Sequence, residues 1–179
     1  MRANAGDSPT LTHVADYLGL IDHDTDGRRA DVTPLFSDAG AFRALVVDLL
    51  SLARPTLFTV VAGIDALGFV IGAAVAGEAG TGFVAIRKGG KLPVAVDSVS
   101  FDDYDGVSKS LELRRDAFHP GDRVLIVDEW IETGAQVLGA AALVVGQGAR
   151  VAAIATIHCD QQGLEALAGK YLVLTLERE

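Results

Sequence analysis

The sequence predicts an α/β fold with a mainly parallel central sheet flanked by helices. Short runs rich in β-branched residues alternate along the chain with apolar helical stretches, and these runs read TLFTVVAG, GFVAIRK, RVLIVDE, RVAAIATIHC and YLVLTL. Residues 124–127 are apolar at every position, which is typical of a strand that is covered on both faces. Because the carboxyl ends of parallel strands share one edge of a sheet, we expect a ligand site along that edge.

The helices are predicted from the spacing of apolar residues. Residues 11–21 predict a short amphipathic helix that ends before the acidic turn at 22–27. A second helix is predicted at about residues 38–53, where Ser37 or Asp38 is placed to accept hydrogen bonds from the first amides. Its apolar positions are Phe42, Leu45, Val46, Leu49 and Leu52. A further helix follows the segment 128–136, and its predicted apolar face is Val137, Leu138, Ala141, Ala142 and Val145.

Composition and charge narrow the function classes. The chain has 179 residues, of which 50% are hydrophobic, so it is long enough to bury a core without metal or disulfide support. Its net charge of -9 would repel a phosphate backbone, so we expect no nucleic-acid partner. Cys159 is the only cysteine, which favours a cytoplasmic location. The sequence shows neither a secretory signal nor an apolar run near the roughly 20 residues that span a bilayer, so no membrane partner is expected.

The strongest candidate site follows the strand at 124–127. Asp128 and Glu129 come directly after it, and Thr133 and Gly134 precede a helix. The amides at a helix N-terminus favour an anion, and glycine lets the backbone approach it closely. Two adjacent carboxylates are suited to accept hydrogen bonds from a sugar diol or to hold a hydrated Mg²⁺ ion. A phosphorylated sugar would satisfy both halves, although a solvated turn followed by a capped helix would give the same pattern.

Four segments carry a family resemblance. Residues 124–136, VLIVDEWIETGAQ, resemble the phosphoribosyl-pyrophosphate (PRPP) motif of type I phosphoribosyltransferases, which has four apolar residues, two acids and a threonine-glycine loop. Residues 83–93 look like the IRK-x-GKLP segment of adenine phosphoribosyltransferases, and residues 63–69 resemble their pyrophosphate loop. Residues 31–35, DVTPL, resemble an element near the start of that family. The chain is therefore identified as a member of the type I phosphoribosyltransferases, of the adenine type.

The resemblance implies the fold, the reaction and the partners. It implies a small N-terminal hood at residues 1–35, a core domain at 36–179 and a flexible lid loop. The implied activity is a purine phosphoribosyltransferase, which moves ribose 5-phosphate from PRPP to a base, adenine or a modified purine, and releases pyrophosphate. Mg²⁺ is the implied cofactor, and a homodimer is the implied assembly.

The resemblance also assigns roles to individual residues. The expected catalytic residues are Asp128, Glu129 and Asp103, and the first two are also candidate Mg²⁺ ligands through water. The expected 5′-phosphate loop is Glu132, Thr133, Gly134, Ala135 and Gln136. The expected pyrophosphate contacts are Asp65, Ala66, Leu67, Arg87, Lys88 and Lys91, and the expected base contacts are Val32 and Ile131.

The stretch at 96–113 is acidic and rich in hydroxyl groups, so we interpret it as too polar for the core and suited to a lid that excludes water. In the resembled family the lid carries a glutamate, the candidate acid or base toward the purine. Asp103 is the nearest match here, and Tyr104 is expected to cover the ribose or the leaving group. Solubilising a loop is the alternative role for these acids. Trp130 either packs under the motif or shapes the nucleotide site.

Several departures from the family pattern fall inside the motifs. Ala66 and Leu67 stand where a serine and an arginine are usual, so the leaving-group site loses a hydroxyl and a cation. Ala135 and Gln136 replace a glycine and a threonine, and Glu129 replaces an aspartate. These changes keep three functions open: a transferase acting on adenine or a modified purine, a non-catalytic regulatory protein that binds PRPP or a nucleotide, and an enzyme of another reaction on a phosphoribosylated substrate.

Overall fold

The computed structural model describes residues 17–27, 29–102 and 108–177, with the backbone alone at residue 102. The chain forms two compact units, Met1–Leu45 and Val46–Glu179. The predicted domain boundary after residue 35 stays a prediction.

The first unit contains a short antiparallel bridge and the start of the helical region. Asp22 and Asp31 form the bridge, α1 spans Thr33–Ser37, and α2 spans Ala39–Ala53 and ends in the second unit. The predicted helix at 38–53 is confirmed, and the Asp38 carboxylate accepts a hydrogen bond from the Ala41 amide at 2.8 Å. Within the predicted helix at 11–21, residues 11–16 lie outside the described part. Tyr17–Leu20 form a 3-10 turn instead of an α-helix, because Ile21 donates to the Leu18 carbonyl three residues back.

The second unit is built on a seven-stranded sheet, and the predicted α/β class is confirmed. The strands are β1 (Val60–Ile64), β2 (Gly82–Lys88), β3 (Val96–Asp102), β4 (Ser108–Arg114), β5 (Arg123–Val127), β7 (Arg150–Thr156) and β9 (Val173–Thr175), in the spatial order β3-β4-β2-β1-β5-β7-β9. A separate two-stranded ladder pairs β6 (Trp130–Ile131) with β8 (His158–Cys159). The helices are α3 (Leu67–Ala79), α4 (Ala135–Gly146) and α5 (Gln161–Leu167), and a 3-10 turn at Arg54–Thr56 precedes β1.

Strand direction divides the sheet into two parts. Strands β2, β1, β5, β7 and β9 are parallel to one another. Strand β4 pairs antiparallel with both β2 and β3. The predicted lid stretch at 96–113 is therefore largely a β-hairpin, and residues 103–107 lie outside the described part. Leu111 and Leu113 in β4 are fully buried, so the interpretation of this stretch as too polar for the core is wrong.

Helices cover both faces of the parallel strands, as the apolar run at 124–127 predicts. Val124 and Ile126 pack in one core cluster with residues of α4. Leu125 and Val127 point to the opposite face, where the backbone of α3 approaches Val127 at Gly72. The predicted apolar face of α4 is partly wrong, because Ala142 and Val145 are exposed while Gly139, Ala140, Leu143 and Val144 are buried. Apolar residues occupy almost every position of α4, so their spacing alone does not select a face.

No helix in the described ranges is long and apolar enough to cross a membrane.

Candidate active site

Three predicted segments meet at the carboxyl edge of the sheet. Strands β2, β1 and β5 are parallel neighbours, so their carboxyl ends lie side by side. The chain leaves β2 at Gly89, inside the basic segment at 83–93, and leaves β1 at Asp65, inside the pyrophosphate loop at 63–69. It leaves β5 at Asp128, the first residue of the acid pair. Strands β3 and β4 come between β2 and β5 in the sequence, but in the sheet they lie on the far side of β2. Strand β1 is therefore next to both β2 and β5, and this order brings the three groups together.

Asp128 is a buried carboxylate with two hydrogen-bond donors. Its exposed fraction is 2%, its Oδ1 accepts from the Glu129 amide at 3.0 Å, and its Oδ2 accepts from Gln136 Nε2 at 3.0 Å. Burial and the negative charge of Glu129 raise the pKa of Asp128 well above its ordinary value, and the hydrogen bond from Gln136 opposes that rise only in part. The half-buried Glu129 is the more accessible member of the pair. The pair thus concentrates negative charge at the end of β5.

The phosphate loop connects this acid pair to α4. Gly134 adopts a left-handed conformation with φ of 79°, and a Cβ there would lie 3.2 Å from the Cβ of Ala166, so glycine is required on both counts. Thr133 Oγ1 accepts a hydrogen bond from the Ala135 amide at 3.3 Å. The helix begins at Ala135, and its first turn contains no acidic side chain. The loop therefore leads into a helix N-terminus, and its binding of the 5′-phosphate stays a prediction.

Two predicted members of the phosphate loop, Gln136 and Glu132, contact other parts of the second unit. The side chain of Gln136 is hydrogen-bonded to Asp128, so it links the phosphate loop to the acid pair. Glu132 is 9% exposed. Its carbonyl lies close to α5, since a Cβ at Gly163 would be 2.9 Å from the Glu132 oxygen.

The pyrophosphate loop packs directly against the acid pair. A Cβ at Gly68 would lie 2.6 Å from the Val127 carbonyl oxygen and 3.2 Å from Asp128 Oδ1, so only glycine allows this approach. Asp65 Oδ2 accepts a hydrogen bond from the Lys88 amide at 3.4 Å, which joins the loop to the basic segment. The Asp65–Ala66 peptide is cis. Ala66 is exposed and Leu67 is half-buried, so neither side chain adds a cation or a hydroxyl group.

Glu112 organises the basic segment, and sequence reasoning missed it. This buried residue of β4 faces Arg87 of β2 across the antiparallel register. Its carboxylate accepts backbone hydrogen bonds from Gly90 at 2.8 Å, Lys91 at 2.6 Å and Leu92 at 2.6 Å. Burial raises the pKa of Glu112, but the three amide donors and the charge of Arg87 outweigh it, so the net pKa is below its ordinary value. An acid inside an alternating strand pattern was the only available signal.

The remaining predicted site residues differ in how far their side chains are exposed. Arg87 is half-buried, and the predicted cations Lys88 and Lys91 are exposed. Ile131 lies in β6 and is 2% exposed, and Val32, in the first unit, is also 2% exposed. Asp103 and Tyr104 lie outside the described residues. Trp130 is buried at 7% exposure, which agrees with packing under the motif.

The acid pair fits a hydrated cation that a substrate also holds. No group of three or more His, Cys, Asp or Glu residues suited to a metal exists within 17–27, 29–102 and 108–177. Burial and the negative charge of Glu129 raise the pKa of Asp128, and a divalent cation would relieve the repulsion between the two carboxylates. Mg²⁺ keeps several waters and is usually bound by one or two carboxylates together with substrate phosphates. The donor set at Asp128 and Glu129 matches that mode of binding.

Comparisons with known proteins show the family of the chain. An adenine phosphoribosyltransferase of Methylococcus capsulatus is 44% identical over 142 residues, covering 78% of this chain and 82% of the relative. The crystal structure of adenine phosphoribosyltransferase from Thermoanaerobacter pseudethanolicus matches with a TM-score of 0.84 at 31% identity, covering 91% of this chain and 98% of that chain. The Saccharomyces cerevisiae enzyme, complexed with D-2,5-dideoxy-2,5-imino-altritol 1,6-bisphosphate and adenine, matches with a TM-score of 0.79 at 27% identity, covering 90% and 98%. No protein-family model matches the chain. On the likeness to these relatives, the chain belongs to the adenine phosphoribosyltransferase family.

Proposed function

We propose that this chain transfers the 5-phosphoribosyl group of PRPP to adenine, giving AMP and pyrophosphate. The observation that carries the proposal is the meeting of the acid pair, the pyrophosphate loop and the basic segment at the ends of the adjacent parallel strands β5, β1 and β2. The family supports the acceptor, since the related yeast enzyme is complexed with adenine. In the reaction a ring nitrogen of the base bonds to the anomeric carbon, the bond from that carbon to the pyrophosphate oxygen breaks, and the nitrogen loses its proton.

Each group of residues serves one part of this reaction. Asp128 and Glu129 accept hydrogen bonds from the ribose hydroxyls, and their charge favours the positive sugar that develops as the bond breaks. The loop from Thr133 to Gln136 binds the 5′-phosphate with backbone amides at the start of α4. Arg87, Lys88 and Lys91 favour the negative charge that develops on pyrophosphate. Mg²⁺, carried mainly by the substrate, supplies further charge neutralisation at the leaving group when bound.

The finer parts of the proposal concern the base, the assembly and the location. We propose Val32 and Ile131 as base contacts, Asp103 as the group that exchanges a proton with the base, and Tyr104 as a lid residue. Substitution of each residue tests its role. A homodimer and a cytoplasmic location complete the proposal. The single cysteine, Cys159, is consistent with a reducing compartment.

Release of pyrophosphate and formation of nucleotide test the proposal together. The purified chain is incubated with PRPP and Mg²⁺ and with each of adenine, guanine, hypoxanthine and uracil, and both products are quantified. We expect release with adenine only, in equal amounts with AMP, and a loss of roughly 100-fold or more in the Asp128→Asn variant. Tight binding of PRPP without release of pyrophosphate for any base would contradict the transferase function and favour a non-catalytic protein that binds PRPP. Nucleotide cleavage without pyrophosphate would point to another reaction.

A further inference from the structure

A cluster of one indole, one imidazole and two carboxylates forms around Trp130, the residue that follows the acid pair in the sequence. The indole of Trp130 stacks on the ring of His158, with centroids 4.1 Å apart and an interplanar angle of 27°. Asp160 Oδ1 accepts a hydrogen bond from Trp130 Nε1 at 3.1 Å and lies 3.0 Å from His158 Nε2. Glu177 Oε2 lies 2.5 Å from His158 Nδ1. We call these four side chains the Trp130 cluster.

The backbone connects this cluster to the residues proposed to bind ribose. The Glu129 carbonyl accepts hydrogen bonds from Thr156 Oγ1 at 3.0 Å and from the His158 amide at 3.3 Å. The Ile131 carbonyl accepts from the Asp160 amide at 2.8 Å. The peptide groups before Trp130 and after Ile131 are therefore hydrogen-bonded to the segment that carries His158 and Asp160. A shift of the His158 ring would move Trp130 and, with it, the peptide that leads into Glu129.

The chemistry of the cluster is unusual for a purely structural contact. His158, Asp160 and Glu177 have side chains that are 18%, 37% and 22% exposed, so each is partly removed from water. A pair of apolar side chains would fill the same space without that desolvation cost. Each ring nitrogen of His158 lies within hydrogen-bond distance of a carboxylate, which fixes the rotation of the imidazole about its Cβ–Cγ bond. The indole above it is thereby fixed in turn.

We propose that His158, oriented by Asp160 and Glu177, is a positioning residue for the acid pair. It acts through Trp130, whose ring it holds, and sets the direction in which Glu129 and Asp128 present their carboxylates to ribose. Displacements of about 1 Å in such a group can cost roughly 100-fold in rate. This role rests on the proposed transferase function, because the acid pair is assigned to ribose there.

The sole tryptophan of the chain makes the proposal measurable without turnover. Trp130 is the only source of tryptophan emission, and it lies next to Glu129 in the sequence. We expect Mg²⁺–PRPP to change its emission when it binds to the native chain. A titration of that change gives an affinity for PRPP, so the wild-type binding signal and the wild-type turnover are separate readouts. A chain that binds PRPP but releases no pyrophosphate would contradict the transferase function and still allow the positioning role to be tested.

Two substitutions of His158 separate the ring contact from the carboxylate contacts. His158→Phe keeps an aromatic ring against Trp130 but loses both nitrogens, and His158→Ala removes the ring as well. Asp160→Asn keeps an oxygen for the indole and weakens the hold on the imidazole. His119→Ala, at an exposed histidine between β4 and β5, is the matched control. Binding of PRPP, kcat and KM, tryptophan emission and the melting temperature are measured for each.

The expected pattern is graded. We expect kcat/KM for PRPP to fall roughly 10- to 100-fold in His158→Ala, less in His158→Phe and Asp160→Asn, and not at all in His119→Ala. We also expect the affinity for PRPP to weaken in the variants that lose kcat/KM. A red shift of the Trp130 emission is expected in His158→Ala alone. If His158→Ala does not fold, His158→Phe provides the test, because it keeps an aromatic ring against Trp130. Wild-type kcat/KM and PRPP affinity in a folded His158→Phe and Asp160→Asn pair would overturn the proposal.

Discussion

At the scale of single residues, Asp128 has opposite effects on function and on stability. Its burial and the neighbouring charge of Glu129 raise its pKa, so the folded chain holds the ionised carboxylate at a cost. A carboxyl whose pKa is higher in the folded state than in the unfolded state lowers stability as pH rises from its ordinary value of 3.8 toward the raised value. The ionised form is nevertheless the one that the proposed contact with the ribose hydroxyls requires. The fold therefore retains a destabilising group where the proposed chemistry requires it.

We predict that Asp128→Asn is more stable than the wild type and far less active. The asparagine oxygen can still accept the hydrogen bond from Gln136, but it carries no charge to bury. At pH 7 we expect its melting temperature to be about 2–5 °C higher. The difference should shrink as the pH is lowered toward 4, because the wild-type carboxyl then becomes neutral. Thermal unfolding followed by circular dichroism at several pH values measures this.

The control is Asp26→Asn, at an exposed aspartate, which should leave the melting temperature unchanged at every pH. A lower melting temperature for Asp128→Asn at pH 7 would show that the second lost acceptor matters more than the removed charge.

At the scale of elements, β4 holds the basic segment through Glu112. The lowered pKa of Glu112 means that its ionised form stabilises the fold above its ordinary pKa of 4.5, and that this stabilisation is lost as pH falls through the lower folded value. Glu112→Gln keeps one acceptor oxygen but loses the charge and the second acceptor. We predict a lower melting temperature at pH 7, a difference from wild type that shrinks below about pH 4.5, and a fall in kcat/KM for PRPP of roughly 10- to 100-fold.

The matched control for this prediction is Glu78→Gln, at an exposed acid of α3. It should change neither the melting curve nor the kinetics. A Glu112→Gln chain with normal KM for PRPP would mean that Lys91 and Arg87 keep their positions without this carboxylate.

The helix α3 offers a sharper test, because two of its glycines have opposite surroundings. A Cβ at Gly68 would meet the Val127 carbonyl at 2.6 Å, whereas a Cβ at Gly77 would meet nothing within 4 Å. We predict that Gly77→Ala gains about 0.5–1 kcal/mol from better helix propensity. Gly68→Ala should instead destabilise the chain and reduce PRPP binding, because the pyrophosphate loop must move away from Asp128. Urea unfolding and PRPP titration of both variants measure the contrast, and equal effects at the two positions would contradict it.

The elements also show where sequence reasoning succeeds and fails. The parallel strands β1, β2, β5, β7 and β9 were predictable, because each lies in a short run rich in β-branched residues and β5 is apolar throughout 124–127. The hairpin of β3 and β4 was not, because serine, aspartate, lysine and glutamate alternate there with the buried leucines. Contacts such as Glu112 with the amides at 90–92 depend on antiparallel register, which no local pattern encodes. The acid pair and its phosphate loop were recognisable because they are contiguous in sequence.

At the scale of the whole molecule, the strand order explains why the predicted site segments, far apart in sequence, converge. Every crossover among β2, β1, β5 and β7 preserves the strand direction, so all four strands end at one edge. The Trp130 cluster extends that edge through the β6–β8 ladder. Sequence alone predicted the edge but missed the roles of His158 and Asp160, because both follow an ordinary apolar strand and reach Trp130 only through this ladder. Cooperative stability of the second unit and PRPP binding are therefore expected to be coupled.

Cys159 provides a probe of that coupling. It is the only cysteine, it lies in β8 at 7% exposure, and burial together with the charge of Asp160 raises the pKa of its thiol to about 11. At pH 8 only roughly one thiol in a thousand is then ionised, so a thiol reagent should modify the native chain very slowly.

We predict that labelling of Cys159 requires opening of the fold and that Mg²⁺–PRPP slows the labelling further. With PRPP at about 100 times its dissociation constant, the stabilisation of about 2.7 kcal/mol corresponds to roughly 100-fold slower labelling. The rate is followed with a chromogenic disulfide reagent, with the urea-unfolded chain as the reference for a fully exposed thiol. Fast labelling of the native chain, or a rate indifferent to PRPP, would show that β8 opens independently of the ligand site.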